Sequence, residues 1–169
     1  MIPAERAARV EEDQLQLVVQ AVHDILHSQD LEESLMGVVQ GVRAVLSDAA
    51  SSAITLVDRD GFLDTETYRV HGPLAPIMNE VKPRNSGGVG AWVVENKQAV
   101  FEPDVSLSES DVHPAVRRNR ASVGAYACLP LQSHQRVIGT LFVCFDHPFS
   151  FTPAVRNSLQ SFSDLIAHT

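Results

Sequence analysis

Apolar residues recur at helical spacing near both ends of the chain and at strand spacing between them. From Gln14 to Ser28, Leu15, Val18, Val22 and Ile25 repeat in a three-four pattern, and Val19 and Leu26 widen the stripe. This predicts an amphipathic helix whose spacing also suits a coiled-coil seam. Asp30 is placed to cap a second helix with apolar positions Leu31, Leu35, Val38, Val39, Val42, Val45 and Leu46. Glu32 and Glu33 fall in its first turn, where they favour the helix dipole. A strand is expected over Ser52 to Val57, then a turn at Asp58-Arg59-Asp60-Gly61. Phe62 to Val70 alternates less cleanly but reads as the partner strand.

The region from His71 to Asn119 is irregular, broken by Pro73, Pro76, Pro83, Pro103 and Pro114 and by Gly72, Gly87, Gly88 and Gly90. Short helices are expected near Leu74 to Val81 and Gly90 to Asn96, a strand at Ala99 to Glu102, and a helical turn at His113 to Arg120. Val123 to Leu131 and Val137 to Phe145 are rich in β-branched and aromatic residues and are separated by polar residues from Gln132 to Arg136, the signal of a hairpin. Pro130 donates nothing to a ladder, so its strand should end there or lie at an edge. Gly139 inside the second strand marks a bulge or a close approach. Thr152 can cap a last helix with Pro153 in its first position, and Val155, Leu159, Phe162, Leu165 and Ile166 form one face of it. Strands segregated from helices predict an α+β domain with an antiparallel sheet.

Length and composition narrow the classes. At 169 residues one domain is expected, with residues 1–13 a charged, frayed N-terminus and residues 14–169 the domain itself. Hydrophobic residues make up 44% and charged residues 20%, as in a globular protein. Lys and Arg total 13 against 21 Asp and Glu, a net charge of −8. That balance argues against direct binding of nucleic acid, which requires neutralised phosphates, and against docking on anionic lipid. No apolar run reaches the roughly 20 residues that span a bilayer. The N-terminus carries acid and base where a signal peptide needs an apolar core, so a cytoplasmic protein, whole or cut from a larger one, is expected.

The stretches Ala125-Tyr-Ala-Cys-Leu-Pro-Leu131, Val137-Ile-Gly-Thr-Leu-Phe-Val143 and Phe151-Thr-Pro153 with its helix are similar to the C-terminal half of a GAF domain. Gly88-Val-Gly-Ala-Trp-Val-Val-Glu-Asn-Lys-Gln-Ala-Val-Phe-Glu-Pro-Asp-Val105 resembles the family's glycine-led helix, strand and Asp-Val loop. The resemblance covers nearly the whole chain. It implies a GAF-like antiparallel sheet with N- and C-terminal helices on one face and a ligand pocket under short helices and loops on the other. It also implies a regulatory role in which pocket occupancy alters a neighbouring effector domain.

His23-Asp-Ile-Leu-His27 resembles a zinc signature, but it lacks a third ligand and lies on the polar flank of its helix, so surface histidines are the plainer reading. Cys128 and Cys144, on neighbouring strands, are two thiols in a long chain and are expected in the core. Within the family one branch reduces free methionine sulfoxide with cysteines in the excursion, and another attaches bilins there. This excursion holds no cysteine. Gly87-Gly-Val-Gly90 lacks the Lys-Ser/Thr of a nucleotide loop and is expected to permit a tight turn into the helix bearing Trp92.

The residues expected to line the pocket are Tyr68, Arg84, Trp92, Phe101, Asp104, His113, Arg117, Tyr126 and Cys128, since Tyr and Trp join an apolar body to one polar handle. Strand alternation places Tyr126 and Cys128 on one side, Ala125 and Ala127 on the other. The ligand would be small and partly polar, and anionic if Arg84, Arg117 and the helix-start amides converge on it. The chain is therefore expected to be a small-molecule-binding regulatory domain of a sensor histidine kinase or transcription regulator, without catalytic residues, metal or turnover. The cofactor is not specified, a bound haem or bilin being a special case. The alternatives are a GAF-type free methionine sulfoxide reductase using Cys128 or Cys144, and a dimerisation module with a degenerate pocket. A homodimer through the terminal helices is expected from the Leu15, Val18, Val22 and Ile25 seam.

Overall fold

The computed structural model describes residues 31–46, 49, 51–80, 88–107 and 123–167. The expected helix over Gln14 to Ser28, the Asp30 cap and the helical turn at His113 to Arg120 lie outside the described residues. Helix α1, Leu31–Val45, buries Leu35, Val38, Val39 and Val42 as its apolar stripe requires. Strands β1, Ser51–Val57, and β2, Leu63–His71, follow, then the short helices α2, Ala75–Glu80, and α3, Val89–Asn96. Strand β3 spans Val100–Glu102, and the hairpin is formed by β4, Ala125–Ser133, and β5, Arg136–Phe145. Helix α4 covers Pro153–Ala167.

The sheet is antiparallel throughout, in the order β2-β1-β5-β4-β3. Pleating gives it two unlike faces. On one, Ile54, Ala125, Ala127, Leu129, Leu131, Leu141, Val143 and Phe145 pack against Val38, Val39 and Val42 of α1 and Leu159, Phe162 and Ile166 of α4. On the other, Tyr126 and Cys144 pack with Leu74, Val105 and Val123, flanked by Ile77, Met78, Val89, Val100 and Phe142. The alternation of Tyr126 against Ala125 and Ala127 is the one the sequence predicts.

Three local findings refine the sequence reading. Strand β4 does not end at Pro130 but continues to Ser133. Its neighbour β3 pairs with Tyr126, Ala127 and Cys128, so among the described residues no strand pairs with Pro130 on that flank and the missing N–H breaks no ladder there. Gly139 meets both expectations. Its neighbour Ile138 is the extra residue of a bulge between the pairs Leu131–Gly139 and Gln132–Val137, and a Cβ on Gly139 would stand 2.5 Å from the Thr55 carbonyl oxygen. The poor alternation of β2 also has a cause. Its register jumps from Ile54–Arg69 to Leu56–Asp64, and the Thr67 hydroxyl replaces the ladder by accepting the Leu56 amide at 2.8 Å and donating to the Asp64 carbonyl at 2.7 Å. At α4, the Val155 amide donates to the Thr152 hydroxyl at 3.3 Å, the cap the sequence predicts.

Candidate functional site

The face opposite α1 and α4 carries Ser51, Thr55 and Thr140, while Ser34, Ser52 and Ser163 lie on the helix side. The cross-strand pairs place Ser51, Ala53 and Thr55 of β1 opposite Cys144, Phe142 and Thr140 of β5, and Cys128 and Pro130 of β4 opposite Phe142 and Thr140. Short side chains therefore occupy the middle of this face, and aromatic rings its flank. Tyr126 stacks on Phe142 with centroids 5.3 Å apart and planes 18° from parallel. The Ser51 hydroxyl accepts the Leu74 amide at 2.7 Å, and the Tyr68 hydroxyl donates to the Met78 carbonyl at 3.2 Å. These two bonds tie helix α2 and its entry to the sheet.

Burial sets the electrostatics. It pushes the thiols of Cys128 and Cys144 up to about 12, so both stay protonated at neutral pH. The Tyr126 phenol also rises to about 12, chiefly by burial and then by the Glu102 carboxylate across the β3–β4 ladder. The Tyr68 phenol is raised too, through burial and its nearness to Cys144. The four groups are neutral hydrogen-bonding groups rather than charges or nucleophiles.

Of the residues expected to line a pocket, Tyr68, Tyr126 and Cys128 come together on this face. Phe101 does not join them, because it lies opposite Ala127 and so points to the helix side. There it meets Phe151 at 5.3 Å, with the Arg156 guanidinium 4.6 Å over its ring. Trp92 is 44% exposed on α3. Asp104 accepts the Ser106 amide at 3.0 Å and its hydroxyl at 2.6 Å, the bonds of a turn cap for the 3₁₀ segment Val105–Leu107. Arg84, His113 and Arg117 lie outside the described residues, as do His23 and His27.

Of the glycine-led helix start, Gly88 and Gly90 are described, and Gly87 lies outside the described residues. Gly88 caps α3 in an extended conformation, φ −123°. A Cβ on Gly90 would stand 3.0 Å from Leu63 Cδ1, where α3 rests on the start of β2, so the Leu63 side chain would have to give by a few tenths of an ångström. Sequence reasoning missed the groove beside that contact. It measures about 350 Å³ and is lined by Gly61, Phe62, Leu63, Ala91, Val94 and Glu95. Phe62, 50% exposed on its rim, was the available signal. Reasoning also missed Thr55 and Thr140, which look like ordinary strand residues until the register faces them toward each other.

The family model of the GAF domain matches residues 30–169. No curated protein matches the chain. Among solved structures, the chain is similar to the GAF domain of an Acinetobacter phosphoenolpyruvate-protein phosphotransferase, at 19% identity and TM-score 0.71, covering 94% of this chain and 91% of that one. The corresponding domain from Coxiella burnetii gives 14% identity and TM-score 0.74 over 94% and 92%. A free methionine-R-sulfoxide reductase from Neisseria meningitidis, solved with its substrate, gives 18% identity and TM-score 0.73 over 96% and 89%. At these identities the likeness speaks for the fold. The reductase corrects one expectation: the sequence reading had no enzyme, yet enzymes stand among the proteins that share this architecture. No helix among the described residues is long and apolar enough to cross a membrane.

Proposed function

Because this chain belongs to the GAF domain family, we propose that it is a small-molecule-binding regulatory domain of a signalling protein, a sensor histidine kinase or transcription regulator working in the cytoplasm. The observation that carries this reading is the contrast between the faces of the sheet. One is sealed by apolar helix packing, and the other sets the phenols of Tyr68 and Tyr126 and the protonated thiols of Cys128 and Cys144 among Leu74, Val105 and Val123. Apolar walls with a few convergent polar groups are what small-ligand sites are made of. Native mass spectrometry of protein purified without added ligand should reveal a small molecule retained by the fold. Once identified, a hundredfold excess over its Kd should raise the melting temperature by roughly 5–10 °C. A ligand located wholly away from this face would overturn the site assignment.

The reading includes a homodimer through the terminal helices, supported by the three-four spacing of Leu15, Val18, Val22 and Ile25. Val18→Glu combined with Ile25→Glu should leave a folded monomer in light scattering. An unmodified protein that is monomeric at high micromolar concentration removes the dimer.

A second reading, a sulfoxide reductase acting through a thiol, takes support from the likeness to the Neisseria enzyme. It needs a reactive thiolate, and burial holds both thiols protonated. Rapid alkylation of folded protein, together with methionine sulfoxide turnover lost on Cys128→Ser or Cys144→Ser, would establish it.

A further inference from the structure

The groove where the β1–β2 turn meets α3 measures about 350 Å³, and none of the described residues that line it belongs to the sheet-face site. Leu63 is buried at its base, Ala91 and Val94 are half-buried along α3, and Phe62 and Glu95 are exposed at its rim. Phe62 and Trp92 are large apolar side chains that stay 50% and 44% exposed. Trp92 lies three residues before Glu95 and so neighbours it on the helix surface. The position of Phe62 is fixed by the turn. Its amide donates to the Asp58 carboxylate at 3.0 Å, and its carbonyl accepts the Asp58 amide at 2.7 Å. A half-exposed aromatic ring on a pinned backbone gives up little freedom when it binds, and such rings anchor protein interfaces.

Charge selects the occupant. The turn, the start of β2 and the exposed flank of α3 carry Asp58, Asp60, Asp64 and Glu95 against Arg59. Lys97, the cation that closes α3, is turned to the hairpin, where it reaches the Gln135 carbonyl at 3.0 Å. We propose that this groove docks a short basic peptide segment of a partner protein. An aliphatic or aromatic side chain of the segment enters beside Phe62 and Val94, while flanking Lys or Arg side chains meet the carboxylates. Shape favours a segment over a small molecule. Small-ligand sites enclose most of their ligand, whereas Gly61, Phe62 and Glu95 of this lining are exposed. A segment continues over the rim and gains the rings there, to which cations are attracted. A second copy of this chain would bring a net charge of −8 to the same acidic rim, which weighs against self-docking. The inference goes beyond the ligand-domain reading and is independent of what occupies the sheet face.

Capped synthetic peptides separate the terms: Ala-Lys-Leu-Lys-Ala, its acidic counterpart Ala-Glu-Leu-Glu-Ala, and Ala-Lys-Ala-Lys-Ala, which lacks the anchor. Binding to the full chain is followed by the amide chemical shifts of Phe62, Ala91 and Glu95. The first peptide should bind about tenfold more tightly than the acidic one at low salt, and most of that margin should vanish at about 1 M salt. It should bind about fivefold more tightly than the peptide without the anchor. Asp60→Lys combined with Glu95→Lys should reverse the preference between the basic and acidic peptides. Phe62→Ala should weaken the first peptide about fivefold and leave the melting temperature of the free protein within about 4 °C, because half of the ring is already in water. Basic and acidic peptides that bind alike would show that charge does not select the occupant, and the proposal falls. It falls equally if no peptide shifts these amides at concentrations up to about 10 mM, or if the shifts gather at Phe142 and Cys144 instead. Self-association in light scattering that disappears in Phe62→Ala would give the groove to a second copy and overturn the peptide assignment.

Discussion

Gly139 and Gly124 show how a single missing carbon can permit a close approach of two backbones. A Cβ on Gly124 would lie 2.2 Å from the backbone carbon of His147, and one on Gly139 would lie 2.5 Å from the Thr55 carbonyl oxygen. The obstacle is backbone in both cases, so no side chain can swing away. Gly139→Ala and Gly124→Ala should each cost about 3 kcal/mol, the upper end for overpacked sites, read from urea midpoints at unchanged m-value. The two thiols give a residue-scale prediction in pH. Unfolded thiols ionise near 9.0, whereas the folded ones hold their protons to about 12. The stability they contribute is therefore complete below pH 9 and is lost as the pH rises from 9 toward 12, by up to about 1.4 kcal/mol per pH unit for each thiol. Urea midpoints taken between about pH 8 and pH 10 should fall, and the double variant Cys128→Ala with Cys144→Ala should show a shallower slope. Equal slopes would mean that the folded thiols titrate like free ones.

At the scale of elements, the β4–β5 hairpin carries a cost the sequence conceals. Its two turn residues, His134 and Gln135, both adopt left-handed conformations, φ 49° and 67°, the geometry of the tight hairpin turn that usually recruits Asn-Gly. The turn tolerates them because the hairpin is the longest pairing in the sheet, and because Lys97 Nζ donates to the Gln135 carbonyl at 3.0 Å. Gln135→Gly keeps that carbonyl and relieves the strained residue, so it should stabilise the domain by about 1 kcal/mol, a rise of a few degrees in melting temperature. At the far end of the hairpin the Thr152 cap starts α4, and Thr152→Ala should cost about 1 kcal/mol. The edge strand β2 is held from both sides. Arg69 Nη2 reaches Glu32 of α1 at 2.6 Å, while Tyr68 reaches α2 on the opposite face. Tyr68→Phe should thus speed amide exchange in α2 more than in α1. Equal acceleration in both helices would show that the hydroxyl does not act on α2 specifically.

For the whole molecule, the sheet works as a divider. Helices α1 and α4 seal one side, and the short helices and 3₁₀ turn lie on the other with the polar cluster. Periodicity determined the first half of this arrangement. The stripe Leu35, Val38, Val39 and Val42, the stripe Leu159, Phe162 and Ile166, and the alternating β4–β5 hairpin each have one solution for burying their apolar residues, and local pattern suffices to find it. The excursion between His71 and Asn119 carries no such period, so the sequence offers only punctuation for its helices, and the contact of Gly90 with Leu63 is visible only in the fold. The polar site was legible only in part for the same reason. Tyr126 and Cys128 share a face by counting along one strand. That Phe101 turns away from them, and that Thr55 faces Thr140, depends on register between strands distant in sequence. Register is set by where bulges fall and where backbones touch, as at Ile138 and Gly139. The amino-acid pattern thus decided which residues are buried. The partners they meet were decided by tertiary contacts, because pairing across a sheet is a property of two strands and never of one.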